Sequence, residues 1–504
     1  MKAHLLFPDR DIDLKAEPPG QWREVGQDLE LDTLLAAMAA SDAFLHAVAS
    51  SVLLAATGEG DARIIAWRQA ALRDALAHAP ELRALYALVV EAIESRKKHL
   101  FGLSMFGRYP RSNLHGAVEL LQTYMQMLRR LRQQADTLAS GFRSEAFGTL
   151  FTTLQREIGD DYFAEVQDHL DTLRFRHGVL LSASLGPGNA GTGYVLHAGN
   201  AARPGWLARL LRKAPPQYAF RLADRDEAGE RMLSELVDRG INEVANALAQ
   251  ATEHVLGFFE LLRVELAFFV ACLNLHERLG VLGVATCMPT FHPIGTRRLT
   301  VRAMRDPTLA LTLQRAPVEN DLDADGKGLL AVTGANQGGK STFLRAMGLA
   351  QVMLHAGLFV AAEAYAGELA LGVFTHYKRE EDATLQGGKL DEELLRMSAI
   401  ADRIVPGAQL LSNESFASTN EREGSELLLQ VVDALRERGI KVVLVTHLYD
   451  AARRLVNQAA PDTLLLRAQR RDDGTRSFKL VVGVPLQTSF GADLYAEVFG
   501  GESV

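Results

Sequence analysis

Cysteine is nearly missing: Cys272 and Cys287 are the two in 504 residues, and neither belongs to a C-x-x-C pair or a Cys/His cluster with zinc spacing. That usage fits a reducing compartment. Long apolar runs are missing too. The greasiest window, 255–273, is interrupted by Glu260, Arg263 and Glu265, which are costly in a bilayer. The opening MKAHLLFPDRDIDL reaches Asp9 without an apolar core of signal-peptide length. A cytoplasmic protein with no membrane segment is expected. There is no excess of positive charge: 54 Lys and Arg against 62 Asp and Glu leave −8 at pH 7, so any nucleic-acid contact has to be a local patch. No repeat of 20 to 50 residues and no low-complexity tract is present.

What is present is an ordinary globular composition, 48% hydrophobic and 23% charged, long enough for about three domains at roughly 150 residues each. Residues 1–30 form an N-terminal segment. From Leu31 apolar residues recur three and four apart between charges, which predicts a helical core domain over 31–177. VLLSASLGPGNAGTGYVLH reads as two short strands around a Gly-rich turn and opens a small insertion over 178–225. Within it Arg203, Arg209, Arg212, Lys213 and Trp206 make a modest basic patch, suited to phosphate contact with stacking or to a solvated loop. Residues 226–289 carry long lever helices, with a seam running through Ile241, Leu248, Val255, Leu262 and Phe269. A protruding coiled coil and a buried helix pair both fit that seam. Over 290–504, GLLAVT, LFVAA, AQLLS and KVVLVTH alternate with helices, predicting an α/β domain with a largely parallel sheet. The fold class expected is thus α followed by α/β.

Directly after Leu329–Val332 come Gly334, Ala335, Asn336, Gln337, Gly338, Gly339, Lys340 and Ser341, which fit G-x-x-x-x-G-K-[ST]. Glycines let the backbone curl so that several N–H groups point at one phosphate, at the positive end of the helix from Thr342. Lys340 would reach the β- and γ-phosphates of ATP and the Ser341 hydroxyl would ligate Mg²⁺. A second strand should end in an acidic group that polarises water. Glu414 is the candidate, preceded by Asn413, a neutral amide that accepts from a metal-bound water without offsetting charge. Thr446 and His447 follow the last strand at the same carboxyl edge, where ligands sit in such folds. A histidine there either bonds nearby backbone or senses nucleotide.

TGANQGGKST resembles the TGPNMGGKST of the MutS DNA mismatch-repair ATPases. NESFASTNEREG is similar to their DE-x-x-x-G-T-S-x-x-x-G segment, VTHLYDAARRL to their ATHYxEL switch, TSFGADLYAEVFG to their C-terminal KSYGxxVAxxAG, and GLFVAAE to their G-x-x-V-P-A run. The likeness is specific over 290–504 and softer over 31–289. It implies an ABC-like ATPase domain working as a homodimer, two nucleotides at the subunit interface and long helices enclosing DNA, in repair or recombination. Gly334, Asn336, Gly338, Gly339, Lys340, Ser341 and Thr342 would then bind ATP and Mg²⁺, Glu414 would activate water, and His447 would couple the γ-phosphate to the partner. Three departures stand out: no Phe-x-Glu mismatch wedge precedes the helices, Leu385–Lys389 lacks the family's signature serine while Asn413 replaces an acid, and the short insertion at 178–222 stands where the family's large DNA clamp would be, which implies a truncated DNA-enclosing arm. They suggest slow hydrolysis and DNA binding without mismatch specificity. The rival readings are a nucleotide-gated dimeric scaffold that binds a protein rather than DNA, and an ABC-like ATPase of the chromosome-maintenance type.

Overall fold

The computed structural model describes residues 2–103, 110–175, 178–189, 191–197, 226–334, 337–379, 388–471 and 476–486. In chain order the helices are α1 (Trp22–Asp28), α2 (Leu31–Ala39), α3 (Ala43–Ala55), α4 (Ala62–Ala77), α5 (Ala79–Leu103), α6 (Pro110–Leu138), α7 (Glu145–Glu157), α8 (Asp160–Leu173), α9 (Glu227–Val281), α10 (Pro307–Leu313), α11 (Lys340–His355), α12 (Lys389–Ala401), α13 (Glu421–Glu437) and α14 (Tyr449–Gln458). The strands are β1 (Leu180–Leu185), β2 (Gly191–His197), β3 (Thr290–His292), β4 (Leu299–Met304), β5 (Asn320–Asp323), β6 (Leu329–Thr333), β7 (Ala364–Glu368), β8 (Val373–Tyr377), β9 (Gln409–Asn413), β10 (Lys441–Val445), β11 (Thr463–Arg470) and β12 (Arg476–Val482).

The chain divides into two compact units. One holds 80–142 and 147–263 with the first three residues; the other holds 4–79, 143–146 and 264–504. The expected boundary at Leu31 is therefore not a boundary between units, and 31–177 is not one body. The reason lies in what the early helices cover. The Leu5 and Leu6 amides donate to Glu265 Oε2 at 2.9 and 2.7 Å, Val373 N–H donates to Thr57 O at 2.8 Å, and Arg345 ion-pairs with both Asp306 and Glu30. A 3.6-residue period says that a helix has an apolar face, and says nothing of which partner that face will meet.

In the smaller unit, β1 and β2 pair antiparallel, as the Gly-rich turn predicts. Tyr124 of α6 packs on Phe259 of α9 with ring centroids 6.0 Å apart, and Arg130 bonds both oxygens of Glu91 at 2.9 Å. The expected long helix is α9, 55 residues, of which the part up to Arg263 belongs to this unit and the part from Val264 to the larger one. Before Val255 the buried positions keep mainly to one face, Ile241, Ala245 and Leu248 among them, whereas every residue from Glu265 to Leu273 is buried.

In the larger unit a six-stranded sheet runs β12-β11-β6-β10-β9-β8, parallel throughout except for β12. A second sheet runs β3-β7-β4-β5. The strands alternate their side chains between two helical layers. Leu329, Ala331, Leu410, Val442 and Leu444 join Met397 and Ile400 of α12, Leu428, Leu429 and Val432 of α13, and Leu455 of α14 in one core. On the other face α11 crosses the sheet so closely that a Cβ at Gly348 would lie 2.5 Å from Leu411. The expected strand LFVAA does not form. Its Val360 makes an isolated bridge with Cys287, and neighbouring groups bond singly to others, Arg305 N–H to Ala361 O and Glu363 N–H to Arg302 O. A buried apolar run is compatible with a strand or with such a pass through the core.

Candidate active site

Strand register lines up the residues that matter. Val332 of β6 sits opposite Val445 of β10, Val445 opposite Asn413 of β9, and Asn413 opposite Tyr377 of β8. The segments that leave these strands, beginning at Gly334, Thr446, Glu414 and Lys378, therefore emerge along one carboxyl edge.

The glycine-rich loop joins β6 to α11. Gly334 has φ 118°, and a Cβ there would lie 2.9 Å from the Ala468 amide nitrogen; Gly339, at φ 87°, would meet Phe478 O at 3.3 Å. Both positions need glycine. Gln337 adopts φ 59°, Gly338 is buried, and Ala335 and Asn336 lie outside the described residues. Lys340, the first residue of α11 and 4% exposed, folds back so that Nζ donates to Gly334 O at 2.9 Å. Burial lowers its pKa, and the Glu414 carboxylate opposes that shift.

Ser341 and Asn413 meet across 72 residues of sequence, the hydroxyl donating to the amide oxygen at 3.0 Å. Glu414 follows at once, its Oε2 3.7 Å from Nδ1 of His447. The carboxyl is held below its ordinary range, first by the His447 imidazole and further by Lys340 and Lys378, against the opposing effect of burial. Thr446 is buried and accepts from the Leu448 amide at 3.1 Å. Lys340, Ser341, Asn413, Glu414 and His447 are thus assembled in one place, with Thr342 in the first turn of α11 beside them.

Two features escape the motif. Arg476, at the start of β12, donates to the side-chain oxygen of Gln337 and brings a second cation to the loop. A cavity of about 360 Å³ opens beside the first turn of α11, lined by Leu313, Pro317, Val318, Gly339, Thr342 and Phe478 among others. Its walls come from three separate stretches of chain, so no contiguous pattern announces it. The Leu385–Gly387 part of the signature-like loop, the basic patch at 203–213 and the C-terminal TSFGADLYAEVFG lie outside the described residues. Among the described residues no helix is long and apolar enough to cross a membrane.

Comparison with known proteins locates this geometry. Residues 60–282 match the model of the MutS2 N-terminal domain, and residues 330–499 that of MutS domain V. An endonuclease MutS2 of Anaeromyxobacter sp. is 35% identical over 154 residues, 29% of this chain and 18% of the relative. A DNA mismatch repair protein MutS of Thermus thermophilus is 30% identical over 207 residues, 40% of this chain and 24% of the relative; one of Chloroflexus aurantiacus is 27% identical over 159 residues, 31% and 16%. The matched stretch is thus at most 24% of the length of these relatives. The loop, the Glu414 turn and the His447 strand end all fall inside the domain V match, and the long helix α9 falls wholly inside the other. On these two matches the chain belongs to the MutS family.

Proposed function

We propose that the chain is a P-loop ATPase of the MutS type that closes as a homodimer over two ATP molecules and binds DNA in repair or recombination. The observation that carries the reading is the convergence of Lys340, the Ser341–Asn413 pair and the Glu414–His447 pair at one sheet edge from three different strands. Lys340 leaves Gly334 O for the β- and γ-phosphate oxygens, while the loop amides and the N-terminus of α11 cradle the phosphates. The base and sugar take the cavity walled by Val318, Thr342 and Phe478. Ser341 Oγ and Asn413 Oδ1 are hard oxygen donors of the kind Mg²⁺ takes; among the described residues no group of three or more His, Cys, Asp or Glu could hold a metal, so substrate oxygens and water would supply the remaining ligands. Bound there, Mg²⁺ would neutralise charge on the phosphates. Glu414, kept ionised, accepts a hydrogen bond from the attacking water and orients it.

Asn413 favours a second reading. A neutral amide where the family has an acid gives weaker charge compensation, as a nucleotide-gated scaffold with poor hydrolysis would need. One set of measurements separates the two: ATP turnover of the wild type and Glu414→Gln, mass by light scattering with ATP, and salt-dependent retention on perfect, mismatched and branched duplexes. The ATPase reading expects turnover that falls by about two or more decades in Glu414→Gln, an ATP-stabilised dimer, and DNA affinity that declines steeply with salt without preferring a mismatch. Nucleotide-dependent dimers with no retention on DNA at any salt would establish the scaffold instead. A strictly monomeric ATP-bound protein would refute the composite site.

A further inference from the structure

The turn that carries Glu414 is held in an unfavourable conformation by groups with no place in phosphate binding. Glu414 and Phe416 both have left-handed backbone, φ 53° and 60°, a state that is unfavourable for a non-glycine residue and persists only where the surroundings enforce it. Three elements do so here. From β8, His376 is wholly buried, and its Nε2 lies 3.0 Å from Glu393 O. A carbonyl only accepts, so Nε2 carries the proton, and the Nδ1 side of the ring lies 2.6 Å from the Ser415 hydroxyl oxygen. From α13, Gly424 approaches so closely that a Cβ would sit 2.4 Å from Phe416 O. From α12 comes Glu393, 4% exposed, whose Oε1 accepts from the Ser418 hydroxyl at 2.9 Å.

Glu393 is the unusual member. Its Oε2 is buried without a hydrogen-bond partner, and burial raises the carboxyl's pKa against the Ser418 hydroxyl and the Phe416 amide. An apolar side chain would fill the same place without the desolvation of a carboxyl group. The carboxyl instead grips one end of the 414–418 turn while the backbone carbonyl of the same residue grips the other through His376 and Ser415.

We infer that Glu393 is a positioning residue for hydrolysis: through Ser418 it fixes the 414–418 turn so that Glu414 points at the attacking water. This rests on the ATPase reading above and deepens it by naming a residue that acts through the Glu414 turn without touching the nucleotide.

The test compares steady-state turnover and ATP affinity in Glu393→Ala, Glu393→Gln, Ser418→Ala and the Glu393→Ala/Ser418→Ala double variant, with Glu414→Gln as the control. Glu393→Ala and Ser418→Ala are expected to lower kcat by about tenfold or more while ATP affinity stays within about twofold, because the phosphate-binding groups are untouched. The double variant should fall no further than the worse single one. Glu393→Gln keeps an oxygen that accepts from Ser418 and should retain kcat within about threefold. Should Glu393→Ala fail to fold, Ser418→Ala, which deletes a single hydroxyl, decides alone. Unchanged kcat in folded Ser418→Ala, or equal losses of kcat in Glu393→Gln and Glu393→Ala, would overturn the positioning role while leaving the ATPase intact. A wild type no faster than Glu414→Gln would overturn the ATPase reading, and the inference with it.

Discussion

Lys340 is drawn back over its own loop to the Gly334 carbonyl, so a bound triphosphate must outcompete that contact for its ammonium. Replacing it removes a buried cation from a nest of neutral donors. Lys340→Ala is expected to weaken ATP binding by about tenfold or more, read by titration with a fluorescent ATP analogue; an unchanged affinity in the folded variant would rule out the site. Asn413→Asp places a full charge 3.0 Å from the Ser341 hydroxyl. Its Mg²⁺ midpoint for ATP turnover should move to lower concentration and its turnover should rise; an unmoved midpoint would take Asn413 out of contact with the metal's waters. These residues were legible in the sequence because the loop motif is contiguous and the second pair follows an apolar strand. Glu393 was not. It is one of 62 acidic residues, and nothing local marks which of them will be buried against a serine 25 positions further on. Arg476 was hidden for the same reason, its partner Gln337 lying 139 residues away.

At the scale of elements, the sequence pattern found α9, the β1–β2 hairpin and the strands β6, β9 and β10 near their observed limits. It failed at LFVAA, a buried apolar run that local pattern does not separate from the equally buried strands β6 and β10. Glycine supplies the sharpest test of how elements pack. In α13, Gly424 meets a backbone oxygen that cannot rotate away, so Gly424→Ala should lower stability by more than about 2 kcal/mol despite alanine's better helix propensity. In α7, Gly148 has open space around an added Cβ, and Gly148→Ala should gain about 0.5–1 kcal/mol. Urea midpoints of the two variants measure both. A neutral or stabilising Gly424→Ala would mean that α13 does not press on the Phe416 turn.

For the whole molecule, two wholly buried histidines set the acid limit. His355 lies 3.2 and 3.1 Å from Ala56 O and Gly58 O at Nδ1 and accepts from the Ala370 amide at Nε2, and His376 holds the turn described above. Burial pushes both pKa values down to about 4 from 6.5. The unfolded chain therefore takes up protons first as pH falls. Stability is intact above pH 6.5 and is lost on descending towards pH 4, by about 3 kcal/mol for each ring at that limit. Urea midpoints should drop steeply between pH 6.5 and 4.5 in the unit that holds both rings, and a flat profile there would contradict their burial. The grouping of 4–79 with 264–504 was the least legible property of all, since it depends on partners that no local pattern names. It also sets an order of events during synthesis. The Leu5 and Leu6 amides find their acceptor about 260 residues later, and β6 pairs with β10 across more than 100 residues. At roughly 5–20 residues per second on the ribosome, the residues that emerge early wait tens of seconds for the chain that covers them. Nascent chains that stop short of Glu265 leave the Leu5 and Leu6 amides without their carboxylate acceptor. Residues 4–79 are thus completed only once 264–504 have been made.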